Sequence, residues 1–224
     1  MQNEIKFDLS SVEAIVWDWN GTLLDDVDIC VDSINEMLVP RNIPPLNYDS
    51  YRRIFGFPVK DYYAEAGFDF NSEPFDVVAI QFIDIYRNHL PSCNLFPDVV
   101  GVLDFFTKKK ISQYILSAME QKMLEHSLQE KGIYEYFAFV SGTTDHYANN
   151  KLDAANRLQQ IIGVAPENIL MIGDTIHDHE VAGVMNWKNL LIASGHQSLQ
   201  RLLPTGRMVF DNLATFMKYL NSNT

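Results

Sequence analysis

Short apolar runs alternating with amphipathic helical stretches predict an α/β protein built on a doubly wound, Rossmann-like parallel sheet, with a small helical domain inserted into it. Three observations carry this reading. Five runs, beginning at 14, 113, 137, 168 and 189, have strand length and β-branched or aromatic character. Helical periodicity follows each in turn, and strands that alternate with helices close through right-handed crossovers into a parallel sheet. The chain of 224 residues is longer than the roughly 100–150 residues typical of a single domain, so a core with an insert is expected.

Ala14-Ile15-Val16-Trp17 is compact and apolar, and Gly21 closes it, so it reads as a buried strand. Val27, Val31, Ile34 and Leu38 then fall at helical spacing, with Pro40 just beyond. Pro44, Pro45, Gly56, Pro58 and Gly67 break residues 41–70 into short helices and turns. Phe75, Val78, Ala79, Phe82, Ile83, Tyr86 and Leu90 mark a long amphipathic helix stopped by Pro91. No strand is predicted between 25 and 95, which places an insert at 25–95 and the core at 1–24 plus 96–224.

The core then resumes. Val99, Val102, Leu103 and Phe106 share one face of a helix over 98–108, before a strand at 113–117. A helix over 121–131 ends at Gly132, and a strand at 137–141 follows. A helix over 151–162 ends at Gly163, before a strand at 168–172. A helix over 176–184, a strand at 189–192 and a helix over 213–220 complete the chain. The expected strand order is 3-2-1-4-5.

Functional groups in such a sheet collect where strands end, beside the switch in strand order. The first strand ends in Asp18-Trp19-Asn20-Gly21-Thr22, the second in Ser117, and the fourth in Gly173-Asp174-Thr175-Ile176-His177-Asp178. Strands one and four are neighbours in this order, so Asp18 and Asp174 face each other. Two close carboxylates repel unless a cation lies between them. Oxygen ligands favour Mg²⁺, and the ion can draw a phosphate into an acidic pocket. Trp17 and Trp19 alternate away from the side Asp18 faces and read as packing residues.

Composition narrows the partners. There are 29 acidic residues against 17 basic ones, for a formal charge of −12. That sign is wrong for a nucleic-acid groove or an anionic membrane surface. No run approaches the roughly 18 apolar residues of a membrane span, and the N-terminus lacks an apolar signal region. Cys30 and Cys93 form neither a disulfide framework nor a paired zinc motif. A reduced, cytoplasmic setting is the expectation.

Taken together, these strand-end motifs resemble the haloacid dehalogenase-like superfamily of hydrolases, over roughly residues 12–220. Asp18-Trp19-Asn20-Gly21-Thr22 resembles the first motif, Ser117 the second, Lys151 the third and Gly173–Asp178 the fourth. The helical insert resembles the small cap of the phosphoglycolate phosphatase-like branch. The resemblance implies an Mg²⁺-dependent phosphatase acting on a small phosphorylated metabolite, with phosphoglycolate as a candidate. Asp18 is then the nucleophile that forms an aspartyl-phosphate. The metal ligands are Asp18, the Asn20 carbonyl and Asp174. Ser117 hydrogen-bonds a phosphoryl oxygen, Lys151 neutralises charge, and Asp178 orients Lys151 or a metal-bound water. Thr22, Arg52, Arg53 and Lys60 are candidate substrate contacts, the last three flanking the turn Phe55-Gly56-Phe57-Pro58.

One residue departs from the pattern. Phosphatases of this family usually carry Asp where this chain has Asn20, and that Asp protonates the leaving oxygen. An amide cannot, and general acid–base catalysis is worth about 10²–10⁴-fold. Turnover of alkyl phosphates is therefore expected to be slow, and aryl or acyl phosphates should suffer less. His177 and His196 are the nearby groups able to substitute. The alternatives are a phosphate- or metabolite-binding protein with weakened catalysis, and a phosphotransferase.

Overall fold

A computed structural model describes residues 9–143 and 151–223. The chain enters through β1 (Ala14–Trp17) and reaches β2 (Leu24–Asp25). Four helices follow: α1 (Val27–Leu38), α2 (Tyr48–Ile54), α3 (Val59–Ala66) and α4 (Phe75–His89). The chain returns through β3 (Asn94–Leu95) to α5 (Val99–Lys108), β4 (Ser112–Glu120), α6 (Gln121–Glu130) and β5 (Phe139–Thr143). It continues through α7 (Lys151–Ile162), β6 (Ile169–Gly173), α8 (Ile176–Val184) and β7 (Lys188–Ile192). The last elements are α9 (Leu199–Leu202), β8 (Met208–Phe210) and α10 (Leu213–Ser222).

The sheet has six strands in the order β5-β4-β1-β6-β7-β8, and all its pairings are parallel. The expected order of five strands is present, extended by β8. That strand was not expected because it is only three half-buried residues after a left-handed Gly206. β2 and β3 were also not expected. They pair antiparallel through Leu24↔Leu95 and Asp25↔Asn94, where the chain leaves for the four helices and returns. Two residues are too few to show an alternating pattern.

Residue alternation along the strands divides most of the core in two, beside a small third cluster of Leu191, Ala193 and Leu202. Ile15, Trp17, Ile115, Leu170, Ile172 and Leu190 join one cluster with residues of α5, α6 and α10. Ala14, Val16, Leu116, Ile169 and Met171 join another with residues of α7 and α8. Helices therefore cover both faces, and every β1 residue is buried. Val27, Ile34, Val78 and Tyr86, from α1 and α4, belong to the first cluster. The apolar core runs without a break from the sheet into the helical insert.

Trp17 and Trp19 are both fully buried. Trp17 packs edge-on against Phe106 and donates its indole N–H to Gln113 Oε1 at 3.0 Å. Both tryptophans thus serve packing, as expected. Cys30 and Cys93 are buried free thiols. Among the described residues, no helix is long and apolar enough to cross a membrane.

Candidate active site

The C-terminal ends of β1 and β6 lie side by side, with Trp17 opposite Ile172. Asp18 follows β1 and donates its backbone N–H to Ile172 O at 2.8 Å, so the strand pairing itself fixes its position. Asp174 follows β6, and Asp178 lies in the first turn of α8. The three carboxylates are buried, and each offers an oxygen within 4.8 Å of the others. Thr22 Oγ1 sits 3.3 Å from both Asp18 Oδ2 and Asp174 Oδ1, linking the two strand ends.

Lys151 opens α7 and reaches into this group. Its Nζ is 2.5 Å from Asp18 Oδ1 and 2.6 Å from Asp178 Oδ1. The other Asp178 oxygen accepts from the Thr175 N–H at 3.0 Å and the Thr175 hydroxyl at 2.7 Å. Asp178 thereby caps its own helix and holds Lys151 at once. α8 builds this geometry through a capping box between Thr175 and Asp178.

Electrostatics follow from this crowding. Burial pushes Asp18 up to about 6 even with Lys151 beside it. Burial drives Asp174 well above the usual carboxylate range, with Asp18 and Asp178 adding to the effect. Burial also acts upward on Asp178, but Lys151 outweighs it and keeps this carboxyl below its ordinary value. Burial acts against the charge of Lys151, yet Asp178 and Asp18 hold its pKa above the ordinary lysine value. Three carboxylates against the single Lys151 ammonium are two balancing charges short, and oxygen-only donors of that charge suit a hard divalent cation.

Two glycines make room for Asp174. Gly21 has φ +72°, and a Cβ there would collide with Asp174 Oδ2. A Cβ on Gly195 would strike the same oxygen and the Gly21 carbonyl. Asp174 Oδ2 instead accepts the His196 backbone N–H at 2.6 Å.

A second polar cluster adjoins the first, and sequence reasoning missed most of it. Asp26 Oδ1 accepts the Gly21 N–H at 2.9 Å and lies 3.2 Å from His196 Nε2. Asp26 Oδ2 accepts from Asn20 Nδ2 at 2.7 Å and from the Tyr86 hydroxyl at 2.8 Å. Tyr51 Oη is 2.9 Å from His196 Nδ1. Burial opposes charge on His196, but Asp26 prevails and raises it to about 9. Asp26 feels the same burial, and His196 with its other donors brings it below its ordinary value. Only the Asp25-Asp26 doublet and the Ser194-Gly195-His196 strand end mark this cluster in the sequence.

The remaining sequence candidates divide. Asn20 joins the cluster through Asp26, and its Oδ1 lies 3.4 Å from Ser117 Oγ. Ser117 is buried, and its Oγ accepts the Met119 N–H at 3.1 Å. Its strand runs on to Glu120, with a break in register after Leu116. Arg52, Arg53 and Lys60 are not brought to the site. Arg52 donates to the Gly195 carbonyl at 2.7 Å, the Gln197 carbonyl at 3.0 Å and the Ala193 carbonyl. Arg53 is exposed, and Lys60 lies over the Phe70 ring at 5.7 Å. Of the two histidines, His196 lines the cavity, while His177 stacks on Phe57 with centroids 4.7 Å apart.

The carboxylate cluster opens into a cavity of about 1060 Å³, mouth included, roofed by α3 and α4. Asp18, Lys151 and Asp174 lie among its lining residues, facing aromatic side chains of the insert.

A model of the haloacid dehalogenase-like hydrolase family matches residues 15–192. A phosphoglycolate phosphatase from Agrobacterium fabrum is 25% identical over 170 residues, covering 73% of this chain and 72% of the relative. An N-acetylmuramic acid 6-phosphate phosphatase from Pseudomonas putida is 22% identical, covering 75% of this chain and 77% of its own. In fold, a haloacid dehalogenase-like family hydrolase from Streptococcus pneumoniae matches with a TM-score of 0.77 at 21% identity, covering 94% of this chain and 99% of that one.

Proposed function

The chain belongs to the haloacid dehalogenase-like hydrolase family, and on that premise we propose that it is an Mg²⁺-dependent phosphomonoesterase. Its substrate is a small phosphorylated metabolite, and its nucleophile is Asp18. The observation that carries the reading is the buried chain Asp18–Lys151–Asp178 beside Asp174, at the ends of adjacent strands and open to a cavity.

The donor set fits Mg²⁺: clustered carboxylates, all oxygen, with burial holding Asp174 far from its ordinary pKa. Asp18, Asp174 and the Asn20 backbone carbonyl would hold the ion. When bound, it neutralises charge on the nucleophile and the phosphoryl group. Asp18 attacks phosphorus and the ester P–O bond breaks, giving an aspartyl-phosphate that water then cleaves to inorganic phosphate. Lys151 offsets charge on Asp18, and Asp178 keeps Lys151 aimed. Thr22 spaces the two carboxylates. Ser117 supplies a hydroxyl at the Asn20 edge. Positioning and charge neutralisation account for most of the catalysis in phosphoryl transfer. Residues 25–95 act as the cap that covers the bound ester and excludes water.

Phosphoglycolate comes to this chain through the names of relatives, and a shared fold does not settle a substrate. A second reading, a phosphate-binding protein with negligible turnover, is favoured by Asn20, whose amide is held by Asp26 rather than free to exchange a proton. The test is phosphate release from acetyl phosphate and p-nitrophenyl phosphate, with and without Mg²⁺. Asp18→Asn should lower the rate on the order of 10³-fold or more. Activity that survives in Asp18→Asn overturns the nucleophile, and Mg²⁺-dependent phosphate binding without turnover selects the second reading.

A further inference from the structure

We propose that the cavity takes a phosphomonoester whose leaving group is uncharged and aromatic; the proposal rests on the phosphatase reading of Asp18 and deepens it.

The wall opposite the carboxylates is built from rings. Phe82 stacks on Tyr86 with centroids 5.9 Å apart, and Tyr63 contacts Phe82 at 5.9 Å and Phe75 at 6.0 Å. Phe55 and Tyr62 close the other side, 5.3 Å apart. All six line the cavity. Aromatic walls of this kind favour flat apolar groups through area burial and ring contacts.

Charge disfavours an anionic leaving group. Among the described residues, Lys151 is the only lysine or arginine lining the cavity, and Asp18 and Asp178 already hold it. His196 is paired with Asp26. Glu120 also lines the cavity, so an anionic leaving group would meet a carboxylate and find no free cation. A carboxylate-bearing ester such as phosphoglycolate is poorly served by that wall.

Two further observations agree. The Tyr62 hydroxyl is buried and has no hydrogen-bond partner among the described residues, although Tyr62 lines the cavity. It offers one uncharged polar contact to an occupant, and a buried hydroxyl without a partner is costly to keep. Asn20 cannot give a proton to the departing oxygen. As the P–O bond breaks, the leaving oxygen keeps the electron pair, which a phenolate tolerates far better than an alkoxide; solvent protonates it after release.

Because aryl esters are intrinsically reactive, binding is the decisive measurement. Inhibition constants for benzylphosphonate, methylphosphonate and phosphonoacetate are measured in Mg²⁺ buffer against acetyl phosphate turnover. Benzylphosphonate should bind roughly 10–100-fold more tightly than either of the others, as expected for burying one ring. Phe82→Ala should remove most of that advantage. Phe82→Leu, which keeps apolar volume, should retain the fold and part of the advantage. Equal constants, or tighter binding of phosphonoacetate, overturn the proposal while acetyl phosphate turnover leaves the phosphatase reading standing. If no ester is hydrolysed, titration of the three phosphonates into the Asp18→Asn protein still decides the pocket: preference for benzylphosphonate upholds it and no preference overturns it.

Discussion

At position 20 a carboxylate would stand 2.7 Å from another carboxylate. The Asn20 amide nitrogen donates to Asp26 Oδ2 at that distance and to Tyr86 Oη at 2.9 Å. An Asp in its place loses both donations and puts two acids in contact at a buried point, where one must take up a proton or move away. Asn20→Asp alone is therefore expected to lower Tm without a gain in rate on an alkyl phosphate. The paired exchange Asn20→Asp with Asp26→Asn keeps the net charge and separates the two acids, at the cost of the carboxylate 3.2 Å from His196. It should recover part of the lost Tm and raise the alkyl phosphate rate by about 10²-fold, the low end of general acid catalysis. A single Asn20→Asp protein that is both stable and fast would remove the like-charge account. Lys151 makes the complementary case. Lys151→Ala strands Asp18 and Asp178 as buried acids without their cation, a change worth about 3–5 kcal/mol. Urea unfolding of the metal-free protein reads it directly, and a loss below about 1 kcal/mol would mean the pair contributes nothing to the fold.

Among the elements, α2 ties the helical insert to the sheet through charged hydrogen bonds. Arg52 reaches from it to three carbonyls of the segment after β7. Gln197 returns the contact by donating to Phe55 O at 3.0 Å, and Arg201 donates to the Arg52 carbonyl at 3.3 Å and to Phe55 O. The same segment carries His196 and the Gly195 that Asp174 requires. Arg52→Ala should thus cost about 1.5–3 kcal/mol, the usual range for a hydrogen bond to a charged donor, and raise KM more than it lowers kcat. An unchanged Tm and KM would show that α2 is held by packing alone. Helices such as α1, α4 and α5 were legible in the sequence because their apolar spacing repeats over several turns. β2, β3 and β8 were not, since two or three residues carry no period. Arg52 read as a substrate contact because a basic residue beside a turn has no visible partner in sequence; its partners are backbone carbonyls 141–145 residues away.

Across the whole molecule, the acidic residues fall into two kinds. All 29 enter the formal charge of −12, but Asp18, Asp26, Asp174 and Asp178 are buried together at one end of the sheet. Asp18, Asp174, Asp178 and Lys151 were legible because each stands at a strand end or helix start in a motif. The Asp26–His196–Tyr51 cluster was not, because it is assembled from the start of the insert, from α2 and from the segment after β7, and no local pattern spans them. That cluster joins three regions of the chain, so its protonation should register in global stability. His196 has a folded pKa of about 9 against an ordinary 6.5. A base whose pKa rises on folding stabilises fully below its unfolded pKa and loses that contribution as pH climbs through the folded one. Asp26, lowered on folding, contributes above its ordinary 3.8 and loses it only as pH falls below that. Asp18, raised to about 6, adds its penalty between 3.8 and 6, below the histidine window. The metal-free protein should therefore lose stability steadily from about pH 6.5 to pH 9, read as Tm or as the urea midpoint. His196→Gln should start lower and fall less steeply over the same range, since a neutral amide has no proton to release, while the raised Asp174 adds its own penalty in either protein. A native profile no steeper than that of His196→Gln would mean that His196 is neutral in the folded protein and that Asp26 is held by Asn20, Gly21 and Tyr86 alone.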